Sequence, residues 1–213
     1  MLYPLVHKTG LIRRSNLTEE LIDHPIRAIA TAVRNGATTF EGIITLAVER
    51  HGRFGTALDS YKYWDEDRAI AEARAADAML RTGRDAGALM GLPISIKDIY
   101  GVQQMPTFAG TPMALPKIWC DEGPVVKALR RDFAIPMGKT HTVEFAFGAV
   151  GVTGNWPSPR NPWDAIHHRA CGGSSAGAGV SLAEGSAVIA LGTDTGGSVR
   201  IPASVTGQVG LKS

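Results

Sequence analysis

The chain has 213 residues, 44% of them apolar, with a formal net charge of +2 and two cysteines. That length holds one sizeable globular core, the mild charge without a basic cluster argues against a nucleic-acid footprint, and no apolar run approaches the roughly 20 residues that span a bilayer. Cys120 and Cys171 are far apart without metal-ligand spacing, and the N-terminus lacks the long apolar core of a signal peptide, so a reduced, cytoplasmic protein is expected.

Taken in order, the first fifteen or so residues read as an arm and Asn16–Glu20 as the opening of a short helix. Another helix is expected from Pro25 to about Asn35 and Gly36. Thr38 stands three residues before Glu41 in a capping-box pattern. Phe40, Ile43, Ile44, Ala47 and Val48 then form an apolar stripe at helical spacing, which Gly52 should stop. The alanine-rich run from Asp65 to Leu80 predicts a strong helix with its charges facing out. Residues 1–64 thus read as an arm and helical region packed on a core formed by residues 65–213, one domain overall. There is no internal repeat.

Leu92–Ile96 predicts a short strand, followed directly by Lys97 and Asp98. An unpaired ammonium is costly to bury, so residue statistics favour a surface turn at Lys97–Asp98. Tyr100–Lys117 reads as an irregular loop, Pro124–Arg131 as a helix, and Ala134–Met137 as a strand ending at Gly138-Lys139-Thr140. That GKT invites a P-loop reading, but the pattern requires glycine where this chain has Phe133, so nucleotide binding is rejected. His141–Phe147 predicts a short helix and Val152–Asp164 a proline-broken loop. His141, His167 and His168 have no carboxylate at a recurring ligand spacing, which argues against a metal site. The G-x-S-x-G elbow of a Ser–His–Asp hydrolase is absent.

The most informative stretch runs from Cys171 to Ser204. Gly172-Gly173-Ser174-Ser175 leads into a small-residue helix over Ala176–Ala183, and Ala187–Leu191 predicts a buried strand. Gly192–Ser198, GTDTGGS, then breaks that strand and presents a second serine on a turn. Serines displayed among glycines suit nucleophilic catalysis, because glycine admits positive φ and lets backbone N–H groups approach a substrate oxygen. Glycine-rich turns ahead of helices also bind phosphate or merely close corners, so either motif alone decides little.

Five separated segments occur together in a meaningful order: GLPISIKD from Gly91 to Asp98, GKTHTVEFAFG from Gly138 to Gly148, NPWD from Asn161 to Asp164, GGSS from Gly172 to Ser175, and GTDTGGSVRIPA from Gly192 to Ala203. Together they resemble the amidase signature family, over roughly Asp65 to Ser213. The resemblance implies an α/β fold, an α/β/α sandwich around a mixed twisted sheet, with an N-terminal helical region. It also implies a further stretch of comparable length, carrying more of the sheet and much of the acyl pocket, whereas this sequence stops at Ser213. A second departure is Ala176, where the family often continues GGSS with glycine or serine.

By the same resemblance the catalytic unit is a Ser–cis-Ser–Lys triad. Ser198 would be the nucleophile, Ser174 the bridging serine after a cis peptide from Gly173, and Lys97 the base. The twenty-four positions from Ser174 to Ser198 match the family's spacing and select Ser174 over Ser175. Ser175 and Gly173 are expected in support, and the N–H groups of Thr195, Gly196, Gly197 and Ser198 in an oxyanion hole. The implied activity is hydrolysis of a linear carboxylic amide to carboxylate and ammonia or amine, with no cofactor and no metal. The implied partners are a small amide substrate, with neither nucleic acid nor membrane, and a homodimer mate or a complementing C-terminal half. Two other readings share the motifs: an amidotransferase of the A type that passes ammonia from glutamine to a tRNA-binding partner, and an inactive truncated remnant.

Overall fold

A computed structural model describes residues 24–213; the helix expected at Asn16–Glu20 lies outside them. Helix α1 (Ile26–Arg34) follows Pro25 and buries Ile29, Ala30, Ala32 and Val33. Helix α2 (Phe40–Leu58) is capped by Thr39, one residue later than the sequence pattern suggests, and the Thr39 hydroxyl accepts the Gly42 N–H at 2.9 Å. Glu41 turns outward to Arg74 instead of closing a capping box. The helix also runs through Gly52. A glycine in an exposed helix interior costs about 1 kcal/mol, and burial of Phe54 and Leu58 in the next turns outweighs that.

Strand β1 (Tyr61–Trp64) has no counterpart in the sequence reading. Helix α3 (Glu66–Arg81) starts at Asp65, whose carboxylate accepts the Arg68 N–H, and turns Ala69, Ala73 and Ala76 inward. Strand β2 (Pro93–Lys97) is buried throughout. An irregular excursion with a 3-10 turn at Lys117–Cys120 precedes helix α4 (Pro124–Arg131). Strand β3 (Ile135–Thr140) runs three residues beyond its expected end, so Gly138, Lys139 and Thr140 are ladder residues and not a phosphate loop. The helix expected over His141–Phe147 shrinks to a 3-10 turn at Glu144–Ala146, since Phe145 sits at φ 44°. Helix α5 (Ala176–Glu184), strand β4 (Ile189–Leu191) and helix α6 (Arg200–Thr206) complete the order.

Among the described residues the sheet has four strands in the order β1-β3-β2-β4. β1 is antiparallel to β3, while β3 and β4 both run parallel to β2. Side-chain alternation on the central β2 sorts the two faces. Ile94 and Ile96 join Val102, Met105 and Val126 of α4 in one apolar cluster. Ser95 faces the other way and its hydroxyl meets that of Ser181 on α5 at 2.8 Å. A larger cluster gathers α1, α2 and α3 with Leu92, Ile135 and Met137.

Helix α5 is enclosed on nearly every side. Its glycines allow this: a Cβ at Gly177 would collide with the Ser60 carbonyl, and one at Gly179 with the Thr206 hydroxyl. At its C-terminal end Glu184 is fully buried, 2.6 Å from His51 Nδ1 through one oxygen and accepting the Ser60 hydroxyl at 2.6 Å through the other. The His51 ring in turn stacks on Trp64, with centroids 4.0 Å apart.

Candidate active site

Lys97 ends β2 on the same face as Ser95 and is wholly buried, at 0% exposure. The surface turn favoured by residue statistics is therefore overturned. The burial is sustained because the ammonium nitrogen has two oxygen neighbours: Nζ lies 2.7 Å from Ser174 Oγ and 2.6 Å from Thr193 Oγ1. Desolvation pushes its pKa down to about 8, against the opposing attraction of Asp194. A lysine so placed holds a usable neutral fraction near neutral pH and can act as a base.

Asp98, the second half of the expected turn, is buried too, at 1% exposure. It points to the opposite face and meets Lys139 Nζ at 2.8 Å, while accepting the Phe108 N–H. Lys139, from the motif that resembled a phosphate loop, also donates to Thr107 Oγ1 at 3.0 Å. Burial pushes the Asp98 carboxyl up and the Lys139 ammonium down, and each partner opposes the shift in the other. Sequence reasoning missed this pair because its members are forty-one positions apart and meet only through the β2–β3 register.

The Gly172–Ser175 loop delivers Ser174 to Lys97. Gly172 adopts φ +77°, and a Cβ there would sit 2.8 Å from Pro202 Cα. The N–H groups of Gly172 and Gly173 donate to the carbonyls of Val150 and Ala149, and the Ser174 carbonyl accepts from Val143. The Gly173–Ser174 peptide is cis. Ser174 and Ser175 are both fully buried. Ser175 opens α5, its N–H donates to the Ser198 carbonyl at 3.2 Å, and its hydroxyl donates to the Thr193 carbonyl at 3.4 Å.

The Gly192–Arg200 turn is organised by Asp194. One oxygen accepts the Gly197 N–H at 2.7 Å, and the other accepts those of Val199 and Arg200. Nε and Nη2 of Arg200 close on the same carboxylate at 2.9 Å each. The guanidinium, aided by the backbone donors, holds this carboxyl far below the usual range. Of the four N–H groups expected in an oxyanion hole, that of Gly197 is the one already bonded to Asp194. The N–H groups of Thr195, Gly196 and Ser198 form no hydrogen bond among the described residues. Ser198 Oγ likewise forms no hydrogen bond among them, while the Ser198 carbonyl accepts the Ser175 N–H. An open depression of about 350 Å³ borders this turn, lined by Gly196, Gly197, Arg200, Ile201, Ser204 and Val205.

The histidines lie elsewhere. His141 is buried with Nε2 3.7 Å from Asp59, and His167 hydrogen-bonds to Asp164. No group of three His, Cys, Asp or Glu side chains is placed to hold a metal ion among the described residues. No helix among them is long and apolar enough to cross a membrane. Thr193 and Asp194 are the participants sequence reasoning passed over; both sit inside GTDTGGS, where attention went to the glycines and the serine.

The Amidase family model matches residues 43–213. The chain is 54% identical over 184 residues to a 2-amino-5-chloromuconic acid deaminase of Comamonas testosteroni, covering 86% of this chain and 40% of that protein. It is 35% identical over 193 residues to the A-type subunit of the glutamyl-tRNA(Gln) amidotransferase of Acidothermus cellulolyticus, covering 91% and 38% respectively. The native peptide amidase of Stenotrophomonas maltophilia superposes with a TM-score of 0.77 at 27% identity, over 86% of this chain and 39% of that one. The chain thus spans about 40% of the length of such relatives. A family match that takes in the Lys97 strand, the Ser174 loop and the Ser198 turn together leaves one conclusion: the chain belongs to the amidase signature family.

Proposed function

We propose that this chain carries the catalytic residues of a C–N hydrolase, releasing ammonia or an amine from a small carboxylic amide through an acyl-enzyme on Ser198. The observation that carries the reading is the buried Lys97, held 2.7 Å from the Ser174 hydroxyl with its pKa drawn down to about 8. Neutral Lys97 takes the Ser174 proton as Ser174 takes that of Ser198. The Ser198 oxygen bonds to the amide carbonyl carbon, and the carbonyl π electron pair moves onto the carbonyl oxygen. The free N–H groups of Thr195, Gly196 and Ser198 are the donors suited to that oxyanion. Collapse breaks the C–N bond, with the relay returning its proton to the departing nitrogen. Water then cleaves the ester by the same route, regenerating Ser198 and releasing the carboxylate.

The 54% identity to a deaminase favours a second substrate class, a 2-amino-substituted muconic acid that would also release ammonia. The amidotransferase likeness adds glutamine as a third substrate to try. The test is intact-mass analysis after treatment with a fluorophosphonate, which transfers its phosphonyl group to an activated serine and releases fluoride. One label on Ser198, absent from Ser198→Ala, is expected. A label that survives that substitution, or none at Ser198, would overturn the reading. Ammonia release from primary amides, glutamine and 2-aminomuconic acid then separates the substrate classes, and glutamine turnover only with an added partner would favour the amidotransferase role.

A further inference from the structure

Lys97 has a second close oxygen neighbour that the relay does not use, Thr193 Oγ1 at 2.6 Å. That threonine is held from several sides. The Tyr100 hydroxyl donates to the carbonyl of Gly192 at 3.0 Å, and the Ser175 hydroxyl donates to the carbonyl of Thr193 itself. Gly192 has no side chain where a Cβ would sit 2.7 Å from Ser175 Oγ, so the two segments close together only with glycine there. The Thr193 side chain is thereby fixed beside the ammonium nitrogen by groups from β2's continuation, the Ser174 loop and its own turn.

A neutral amine has two N–H donors and a single lone pair. If the lone pair faces Thr193, Ser174 has nothing to give its proton to. If an N–H faces Thr193, the lone pair is left for Ser174. We propose that Thr193 is a positioning residue for the base: its hydroxyl oxygen accepts an N–H of Lys97, turning the Nζ lone pair onto Ser174 and steadying the ammonium once the proton arrives. This rests on the reading of Lys97 as the base. The charged and titratable groups around Lys97 are Asp194 across the turn, Tyr100 against the Gly192 carbonyl, and the Asp98–Lys139 pair on the opposite face of the sheet.

The two hydrogen-bond senses predict opposite shifts, which makes the inference testable. An oxygen that accepts from Lys97 favours the charged form, so its removal should lower the lysine pKa; an oxygen that donates into the lone pair favours the neutral form, so its removal should raise it. The Lys97 ¹³Cε resonance is to be titrated by NMR in the wild type, Thr193→Val, Thr193→Ala and Thr193→Ser, with thermal melts as a folding check. The expected result is a fall of about half a unit to one unit in the valine and alanine variants, with serine restoring the wild-type value. Should the valine variant melt early, the alanine–serine pair differs by one oxygen and carries the comparison. An unchanged or raised pKa in the variants lacking the oxygen would overturn the proposal. In turnover, the acid limb of the pH profile should move down by the same amount, with kcat reduced up to about 100-fold from misorientation. Activity that survives Lys97→Ala would instead sink the reading of Lys97 as base, which keeps the two failures distinct.

Discussion

Replacing Lys139 with methionine keeps most of the length of the side chain and deletes its charge, leaving the Asp98 carboxylate buried with the Phe108 and Ala109 N–H groups but without its hydrogen-bonded counter-ion. Both side chains are within 1% of full burial, so solvent does little to screen the loss. Removing one partner of such a pair typically costs about 3–5 kcal/mol, a large share of the roughly 5–15 kcal/mol that holds a domain together. The penalty should depend on pH with a definite sign. Without Lys139 the Asp98 carboxyl in the folded state rises further above its unfolded value, so the variant loses stability as pH rises through the unfolded carboxyl range and above. Urea unfolding at pH 5 and pH 8 should therefore show a larger gap from wild type at pH 8. The double variant Asp98→Asn/Lys139→Met, with no charge left to bury, should recover most of the loss. A penalty under about 1 kcal/mol, or a double variant no better than the single one, would refute the argument that the pair is held by mutual charge compensation.

The remaining expectations concern the proposed chemistry. Ser198→Ala should lower turnover by about 10⁴-fold or more, with Lys97→Ala close behind, and ammonia release assays would show it; full activity in either would refute the triad. Because Lys97 must be neutral to accept a proton and its pKa is drawn down to about 8, kcat/KM should rise with pH through about 8 and then level off, and a profile flat from pH 6 to 9 would contradict this. Asp194→Asn should slow fluorophosphonate labelling of Ser198 at least tenfold, an effect on the order of losing one oxyanion contact, because the carboxylate that gathers Gly197, Val199 and Arg200 loses its charge. Gly192→Ala should do the same by driving a methyl to within 2.7 Å of Ser175 Oγ, and wild-type labelling would show that the turn yields more readily than its packing implies.

Much of the framework was legible from local patterns. Helices α3 and α4, expected over Asp65–Leu80 and Pro124–Arg131, lie within a residue of those bounds, and the structure shows Asp65 capping the first and Pro124 opening the second. The likeness of the glycine-serine segments to the family's motifs singled out Ser174 and Ser198 as expected site residues, and the structure puts Ser174 beside Lys97. What stayed hidden depends on residues distant in sequence. Strand β1 carries four residues with a lysine among them, and its identity comes from pairing with β3. Lys97 reads as a surface residue until Ser174 and Thr193 are brought to it from seventy-seven and ninety-six positions away. The engagement of the Gly197 N–H likewise follows from Asp194, whose role no glycine count reveals.

Helix α5 is fastened at both ends. Ser174 and Ser175 precede its first turn, and Glu184, gripped by His51 and Ser60, closes its last. Its nine residues form a strut about 13 Å long. The anchor at the far end belongs to α2 and the segment just after it, so the helices that look peripheral to the chemistry set the axial position of the serine loop. A loosened grip on Glu184 would be felt as slippage along that axis, at the hydroxyl that meets Lys97, without any residue of the site having changed.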